Sequence, residues 1–278
     1  MVTNLQQWKG GASDFLPGAG SRTSMATITD IYRYPVKGLS PDRLDRVTLT
    51  PGETLPFDRA WAIENGPSKF DPSAPKHLPK IAFLMLMRNE RLAALATSFD
   101  AQARRLTIRR NGTIVAERNL DEAEGRAALE AFFADYEADE LRGAPRIVSA
   151  PGHAFTDTAT KCISLINLET VRDIERRLAT GPVHPLRFRG NLHVEGLPAW
   201  AEFDWIGKGV RAGGARLEAY ARIDRCAATN VNPETAARDM ALPLGLLTAY
   251  GHPDCGIYLK VTEAGDIATG DPIAPGAD

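Results

Sequence analysis

Arg104-Arg105-Leu106-Thr107-Ile108-Arg109-Arg110-Asn111-Gly112-Thr113-Ile114-Val115-Ala116-Glu117-Arg118 decides the fold class. Two strand-like runs, Arg104 to Arg110 and Thr113 to Arg118, flank Asn111-Gly112. A two-residue hairpin turn needs positive φ at its centre, which Asn and Gly tolerate. Upstream, Ala26 to Tyr34 reads as a strand, and Val47-Thr48-Leu49-Thr50 alternates apolar and polar before the turn pair Pro51-Gly52. Gly66 to Lys80 holds four prolines and reads as a surface loop. Downstream, Asp121 to about Leu141 predicts a helix with Leu129, Phe132, Phe133 and Tyr136 on its apolar stripe. Its first turn is crowded with Asp121, Glu122 and Glu124, where the macrodipole favours them. Gly143-Ala144-Pro145 offers a boundary. Beyond it come a strand at Cys162 to Ile166 and a helix capped by Asn167 and stopped at Gly181-Pro182. Further strands follow at Arg187–Glu195, Val210–Arg222 and Gly256–Thr262, with the turn Glu263-Ala264-Gly265-Asp266 leading to Ile267. Many short strands, few helices and no βαβ alternation predict a β-rich α+β fold, with β-barrels and peripheral helices. No repeat at a fixed period interrupts that reading.

The 278 residues suffice for one large domain or two modest ones. With 33 Lys+Arg against 35 Asp+Glu, the net charge of −2 argues against nucleic acid as a general partner. Three cysteines make no disulfide framework, point to a reducing, cytoplasmic setting, and fall short of the four thiolates of an iron–sulfur cluster. No apolar run approaches the length of a membrane span. The leader, residues 1–25, is rich in Gly, Ser and Thr, lacks a signal-peptide core and is expected to be disordered. Met25, just before the first strand, is an alternative natural start.

Chemistry concentrates in two stretches. In Arg187-Phe188-Arg189-Gly190-Asn191-Leu192-His193-Val194, the strand period puts Arg187, Arg189, Asn191 and His193 on one face and Phe188, Leu192 and Val194 on the other. Such a row of guanidinium forks, amide and imidazole suits a phosphate or a polar heterocycle; a strand with one wet face fits equally. In Arg222-Ile223-Asp224-Arg225-Cys226-Ala227-Ala228-Thr229-Asn230-Val231-Asn232-Pro233, neighbouring cations favour the Cys226 thiolate, which binds metals or attacks electrophiles. Against this stands the ordinary role of a lone cysteine as a buried, inert side chain. Cys162 reads as core, and Cys255, in His252-Pro253-Asp254-Cys255-Gly256, as a loop cysteine without a paired zinc motif. His77 and His153 fall in loops and read as solvated, although His153 is the candidate base if Cys226 were a hydrolytic nucleophile. Lys37 beside Gly38 is a place for an ammonium and backbone to meet an anion, and Arg59 opens a strand at Asp58-Arg59-Ala60-Trp61; each is otherwise a surface charge.

Taken in order, Tyr34-Pro35-Val36-Lys37-Gly38, Asp58-Arg59-Ala60-Trp61, Ser164-Leu165-Ile166-Asn167-Leu168, Phe188-Arg189-Gly190-Asn191, Arg225-Cys226-Ala227-Ala228-Thr229 with Val231-Asn232-Pro233, and Gly265-Asp266-Ile267-Ala268-Thr269-Gly270-Asp271 resemble the MOSC proteins. The Tyr-Pro-Val-Lys start resembles the associated N-terminal β-barrel domain of the mitochondrial amidoxime-reducing component and its bacterial relatives. The resemblance runs from about Thr27 to Ile273. It implies an N-terminal β-barrel domain over 26–145 and a MOSC-type β-barrel over 146–278. It also implies a molybdenum–pterin oxidoreductase that reduces N-hydroxylated compounds. By position, Cys226 matches the metal-ligating, catalytic cysteine, and Lys37, Arg59, Arg189, Asn191, Arg225, Ser164 and Tyr258 match cofactor-binding residues. A soft thiolate suits the metal and guanidinium forks suit the pterin phosphate. One protein thiolate would suffice, because the pterin dithiolene supplies two more sulfurs. Thr229, Asn232 and Thr235 are expected to orient the Cys226 loop.

The chain departs from some relatives. Ala236 stands where the family often has Gly, and Asp224 where a small hydroxyl residue is common. No cysteine-rich ferredoxin domain follows Gly270 and no anchor is seen, so electrons are expected from an external ferredoxin- or cytochrome-type protein with its reductase. No pyridoxal phosphate and no membrane partner are expected. Two other functions compete: a carrier that holds the molybdenum cofactor or sulfur on Cys226 without turnover, and a cysteine hydrolase using His153.

Overall fold

The computed structural model describes residues 25–66, 69–178 and 181–276. The disordered leader expected at 1–25 falls, but for Met25, outside the described residues. Three short strands come first: β1 (Ala26–Arg33), β2 (Asp42–Leu44) and β3 (Arg46–Leu49). The next stretch holds β4 (Ala62–Glu64), β5 (Leu95–Asp100), β6 (Arg105–Arg110), β7 (Thr113–Asn119), α1 (Ala123–Tyr136) and β8 (Arg146–Val148). The remainder holds β9 (Ile163–Asn167), α2 (Leu168–Leu178), β10 (Leu192–Glu195), β11 (Gly209–Ala212), β12 (Ala215–Asp224), α3 (Leu242–Tyr250), β13 (Asp254–Glu263), β14 (Gly265–Ala268) and β15 (Pro272–Pro275).

Seven strands close on themselves in the order β10-β9-β13-β12-β11-β15-β1, with β1 pairing back onto β10 and β2 adding to β1. Only β9 and β10 run parallel among these neighbours; the other pairs are antiparallel. Alternation explains the wall: along β12 the residues Ala215, Leu217 and Ala219 point into the core, and Arg216 and Glu218 point out. Ile28, Ile31, Leu165, Leu192, Val194 and Leu259 fill the interior. Each fully buried Leu or Ile is worth roughly 1.5–3 kcal/mol of apolar transfer. Closure also leaves the barrel few exposed edges. The closing strand comes from far upstream: Ile28 faces Val194 and Ala26 faces Ile273.

A second core, from Val36 to Ile147, joins the meander β5-β6-β7 to α1 through Leu95, Leu106, Ile108, Leu129 and Phe133. The Asn111-Gly112 hairpin forms as expected, with φ of 51° and 80° at its two residues. The predicted helix over Asp121–Leu141 is shorter: α1 stops at Tyr136, and residues 138–140 form a separate 3-10 turn. The expected strand Val210–Arg222 is instead the hairpin β11–β12, turned at Gly213-Gly214. Asn167 caps α2 as predicted, its Oδ1 accepting from the Glu169 amide at 3.1 Å. Among the described residues no helix is long and apolar enough to cross a membrane.

Candidate cofactor site at the junction of barrel and N-terminal unit

One cavity of about 410 Å³ opens where the barrel meets the N-terminal unit. Lys37, Arg59, Ser164, Arg189, Asn191, Arg225, Cys226 and Tyr258 all line it. Each comes from a different kind of place. Lys37 follows the end of β1, beside Gly38, whose φ of +87° and whose contact with Leu84, 2.9 Å from a would-be Cβ, leave no room for a side chain. Ser164 and Tyr258 are neighbours across β9 and β13. Cys226 opens a 3-10 turn, Ala227–Asn230, just past β12.

Arg187–Val194 does not form the single strand expected. Residues 185–188 make a 3-10 turn, Arg189 is left-handed at φ 51°, and β10 starts only at Leu192. The corner turns there because Gly190 lies against β9, where a Cβ would meet Ile166 at 2.3 Å. The predicted common face is therefore broken. Arg187, Arg189 and Asn191 still reach the cavity by irregular backbone, whereas His193 does not. His193 is buried, set edge-on to Tyr32 at 5.0 Å, and burial pulls its pKa to about 4, so the ring is neutral.

The cationic groups share one organising ring. Arg59 and Arg189 each place a guanidinium 4.3 Å from the centre of the fully buried Tyr34 ring. Arg59 pairs with Asp58 and donates to the Arg189 carbonyl at 3.1 Å. Arg189 donates to the Leu39 carbonyl at 2.9 Å, and among the described residues no carboxylate pairs with it. Burial first, and then repulsion from Arg59, pull its pKa down to about 10 despite the buried Tyr34 hydroxyl beside it. An anion would reverse both effects. Lys37 is also buried, and burial depresses its pKa, although its ammonium reaches Asp157 at 2.5 Å and the Phe155 carbonyl at 2.9 Å.

The remaining expected ligands are engaged by the protein itself. Ser164 Oγ donates to Asn191 Oδ1 at 2.8 Å, the Asn191 amide donates back to Ser164 Oγ at 3.0 Å, and Asn191 Nδ2 donates to the Tyr32 carbonyl at 2.9 Å. Arg225 donates Nε to the Cys255 carbonyl at 2.7 Å and Nη1 to the Phe188 carbonyl at 2.8 Å. These three side chains hold the walls. Tyr258 stacks on Tyr220, ring centres 5.8 Å apart.

Cys226 is half-buried, and its loop is pinned from beneath. Thr229 Oγ1 donates to the Cys226 carbonyl at 2.9 Å, and Asn232 Oδ1 accepts from the Glu234 amide at 2.9 Å and the Thr235 amide at 3.3 Å. The buried Arg187 donates to the Asn230 carbonyl at 3.1 Å and pairs with Asp239 at 2.6 Å. Thr235 turns away from the site, its hydroxyl accepting from the Ala237 amide at 3.3 Å. Ala236 is left-handed, φ 60°, which explains why glycine suits that position.

The other two cysteines separate as follows. Cys162 is buried, as expected, but it also borders the cavity, where Tyr220 Oη lies 3.6 Å from its sulfur and burial raises its pKa to about 11. Cys255 is not a loop residue: it lies within β13, fully buried, and burial raises its pKa to about 12. His153 packs against Phe70 and Phe155 and does not border the cavity, which removes the proposed hydrolytic base. His77 is exposed, as read.

The family described as MOSC domain matches residues 151–274, and the MOSC N-terminal beta barrel domain matches residues 25–139. The chain is a MOSC protein. MOSC proteins bind the molybdenum cofactor. The chain is 30% identical over 123 residues to mitochondrial amidoxime-reducing component 1 of Xenopus laevis, over 40% of this chain and 35% of that protein. It thus spans about a third of the length of that curated relative. Among solved structures, the YuaD protein from Bacillus subtilis is 15% identical with a TM-score of 0.42, over 90% of this chain and 94% of that one. YiiM from Geobacillus stearothermophilus is 22% identical with a TM-score of 0.34, over 41% and 54%.

In this MOSC protein the cavity's residues fit the cofactor that the family binds. Cationic side chains (Lys37, Arg59, Lys80, Arg187, Arg189, Arg222 and Arg225) outnumber the carboxylates of Asp58, Asp157 and Asp224, as an anionic pterin phosphate requires. Among the described residues, no three His, Cys, Asp or Glu gather to hold a metal by themselves. Sequence reasoning missed Tyr34, Asp157 and Lys80. Burial lowers the Lys80 pKa, but the neighbouring Cys226, Asp157 and Asp224 outweigh it and leave the ammonium above its ordinary value. None of the three carries a local signal: Asp157 and Lys80 reach the cavity from irregular segments, and Tyr34 lies buried behind the two arginines.

Proposed function

We propose that this MOSC protein is a molybdenum-dependent reductase of N-hydroxylated compounds that receives electrons from a separate electron-transfer protein. The observation that carries the reading is the convergence of Cys226 in one cavity with the half-buried Arg189, which no carboxylate pairs with among the described residues. The relative named for amidoxime reduction supports the choice of substrate class. Cys226 would hold the metal as a thiolate, and Arg59, Arg189 and Lys37 would hold the pterin phosphate. Ser164, Asn191 and Arg225 keep those groups in register, and Tyr258 borders the same space. When bound, the molybdenum–pterin cofactor supplies two-electron chemistry at the N–O bond: the bond breaks, two electrons and two protons are taken up, and the oxygen leaves as water. The chain's own part is to orient and to supply field: seven cations line the cavity against three carboxylates, a net positive field for a substrate whose departing oxygen becomes electron-rich.

The test is metal analysis and turnover on protein produced in a host that makes the cofactor. Wild-type protein should carry molybdenum and reduce hydroxylamine with an artificial donor. Cys226→Ser should lose turnover by a factor of at least about a hundred, the scale expected when a metal ligand is replaced. Molybdenum bound without turnover would favour the carrier reading, and folded protein without molybdenum would exclude both.

A further inference from the structure

Met85-Leu86-Met87 is the longest run of consecutive apolar side chains lining the cavity. Met87 also lines a second, open groove of about 540 Å³, so the segment is a wall between two spaces. Its backbone is tied from across the junction. Arg238, beyond the turn that follows Cys226, donates to the Leu86 carbonyl at 3.1 Å and the Met87 carbonyl at 2.9 Å, and pairs with Glu90 at 2.8 Å. The same guanidinium donates to the Ala227 carbonyl at 3.4 Å, and the Arg238 backbone bridges to Val231. One side chain thus connects the Cys226 loop to the apolar wall.

We infer that Met85, Leu86 and Met87 select the substrate of the proposed reductase by contact with an apolar body carrying the N-hydroxylated group, and that Arg238 is the residue positioning them. The inference rests on the reductase reading. Elsewhere the lining is mainly cationic or polar, so this wall is the surface that rewards an aryl or alkyl body over a hydrated one. Unbranched, polarizable thioethers adapt to bodies of different shape. The tie matters because a loose wall 1 Å out of place forfeits that contact.

The experiment uses the cofactor-loaded full chain with a viologen donor and two substrates: hydroxylamine, which has no body, and N-hydroxybenzamidine. Met87→Glu should raise the ratio of their KM values, aryl over bare, roughly tenfold or more. Arg238→Gln should raise KM for N-hydroxybenzamidine more than it lowers kcat, and Arg238→Lys should recover part of that change. In parallel, protein labelled with carbon-13 at the methionine methyls is titrated with N-hydroxybenzamidine. The Met85 and Met87 signals should shift, and the Met240 signal should not. Equal KM changes for both substrates, or unresponsive Met85 and Met87 methyls, would overturn the assignment. A methyl response without turnover of either substrate would overturn the reductase reading while supporting the wall.

Discussion

Two sets of polar side chains line the same cavity and differ in what answers them. Ser164, Asn191 and Arg225 belong to the barrel wall, and their hydrogen bonds go to the protein: to one another, to the Tyr32 carbonyl, and to the Cys255 and Phe188 carbonyls. Arg59 and Arg189 stand at the junction, half-buried against one tyrosine ring, both in left-handed backbone, and among the described residues no carboxylate forms an ion pair with Arg189. A satisfied buried network rigidifies a fold, whereas a buried cation without its counter-charge is a cost until an anion arrives. The first set should therefore govern stability and the second affinity, although residue type alone would place all five in one category.

Arg189→Met makes the largest break in that comparison. Removing this half-buried cation should cut affinity for the anionic cofactor at least roughly tenfold, below the full effect of truncating one partner of a fully buried charge pair. The cofactor-free protein should keep its melting temperature or gain. Molybdenum and pterin content after gel filtration, with a thermal melt of the same sample, measures both. A large loss of melting temperature with cofactor retained would put Arg189 in the structural set.

Asn191→Ala should do the reverse. It takes from the Ser164 amide, the Ser164 hydroxyl proton and the Tyr32 carbonyl the partners that the Asn191 side chain supplies, leaving Ser164 Oγ only the backbone amide of residue 191, at about 1–3 kcal/mol for each group that water does not reach. The expected readout is an unfolding free energy lower by about 2–4 kcal/mol, seen as a lower denaturant midpoint with m unchanged. If stability held while cofactor was lost, the amide would belong with the ligands.

These pairs also mark what was legible beforehand. The β-rich class was readable because Arg46–Leu49 and Ala215–Asp224 alternate with a period of two and Asn111-Gly112 names its own turn, although only Ala215–Asp224 of these belongs to the barrel. α3 was not, since Leu242-Pro-Leu-Gly-Leu-Leu is apolar all round and carries a proline and a glycine, leaving no helical period to find. The cavity residues could be matched to motifs, but their division into wall and ligand could not. Asn191 looks like a ligand in sequence, and only its three hydrogen bonds make it a brace. Tyr34 is an ordinary strand-end aromatic until Arg59 and Arg189, from two other loops, close over it.

Away from the cavity, Glu137 sharpens the same contrast with the opposite sign of charge. It is buried at the end of α1, and among the described residues neither carboxylate oxygen accepts a hydrogen bond, since the neighbouring Asn89 amide donates instead to Glu140 at 2.9 Å. Burial first, then Glu140, raises its pKa to about 7. Because the folded value lies above the unfolded one, its stabilising protonation is complete below the ordinary carboxylate range and is lost as pH rises through about 7. Glu137→Gln should remove that fall. Melting temperatures of variant and wild type should agree near pH 4 and separate by a few degrees at pH 8, variant higher. Parallel curves would mean that an ordered water answers the carboxylate and keeps it charged at neutral pH.

The smallest effect tests whether left-handed backbone at the site is tied to binding. Arg59, Arg189 and Ala236 share that conformation, at φ of 52°, 51° and 60°. The two arginines need it to set guanidiniums over Tyr34, whereas Ala236 has no side chain beyond its methyl and only closes the turn between Asn232 and Ala237. Two hydrogen bonds at 2.8 and 2.9 Å already hold that turn, from the Asn232 amide to the Ala237 carbonyl and from the Ala236 amide to the Asn232 carbonyl. Ala236→Gly relieves about 1–2 kcal/mol of Cβ strain and returns about 0.4–1 kcal/mol through the freer unfolded chain. The net should be a gain of at most about 1.5 kcal/mol in denaturant melts, with molybdenum content at the wild-type level. Loss of metal in that variant would show that the alanine methyl, rather than the turn's hydrogen bonds, fixes the Cys226 loop.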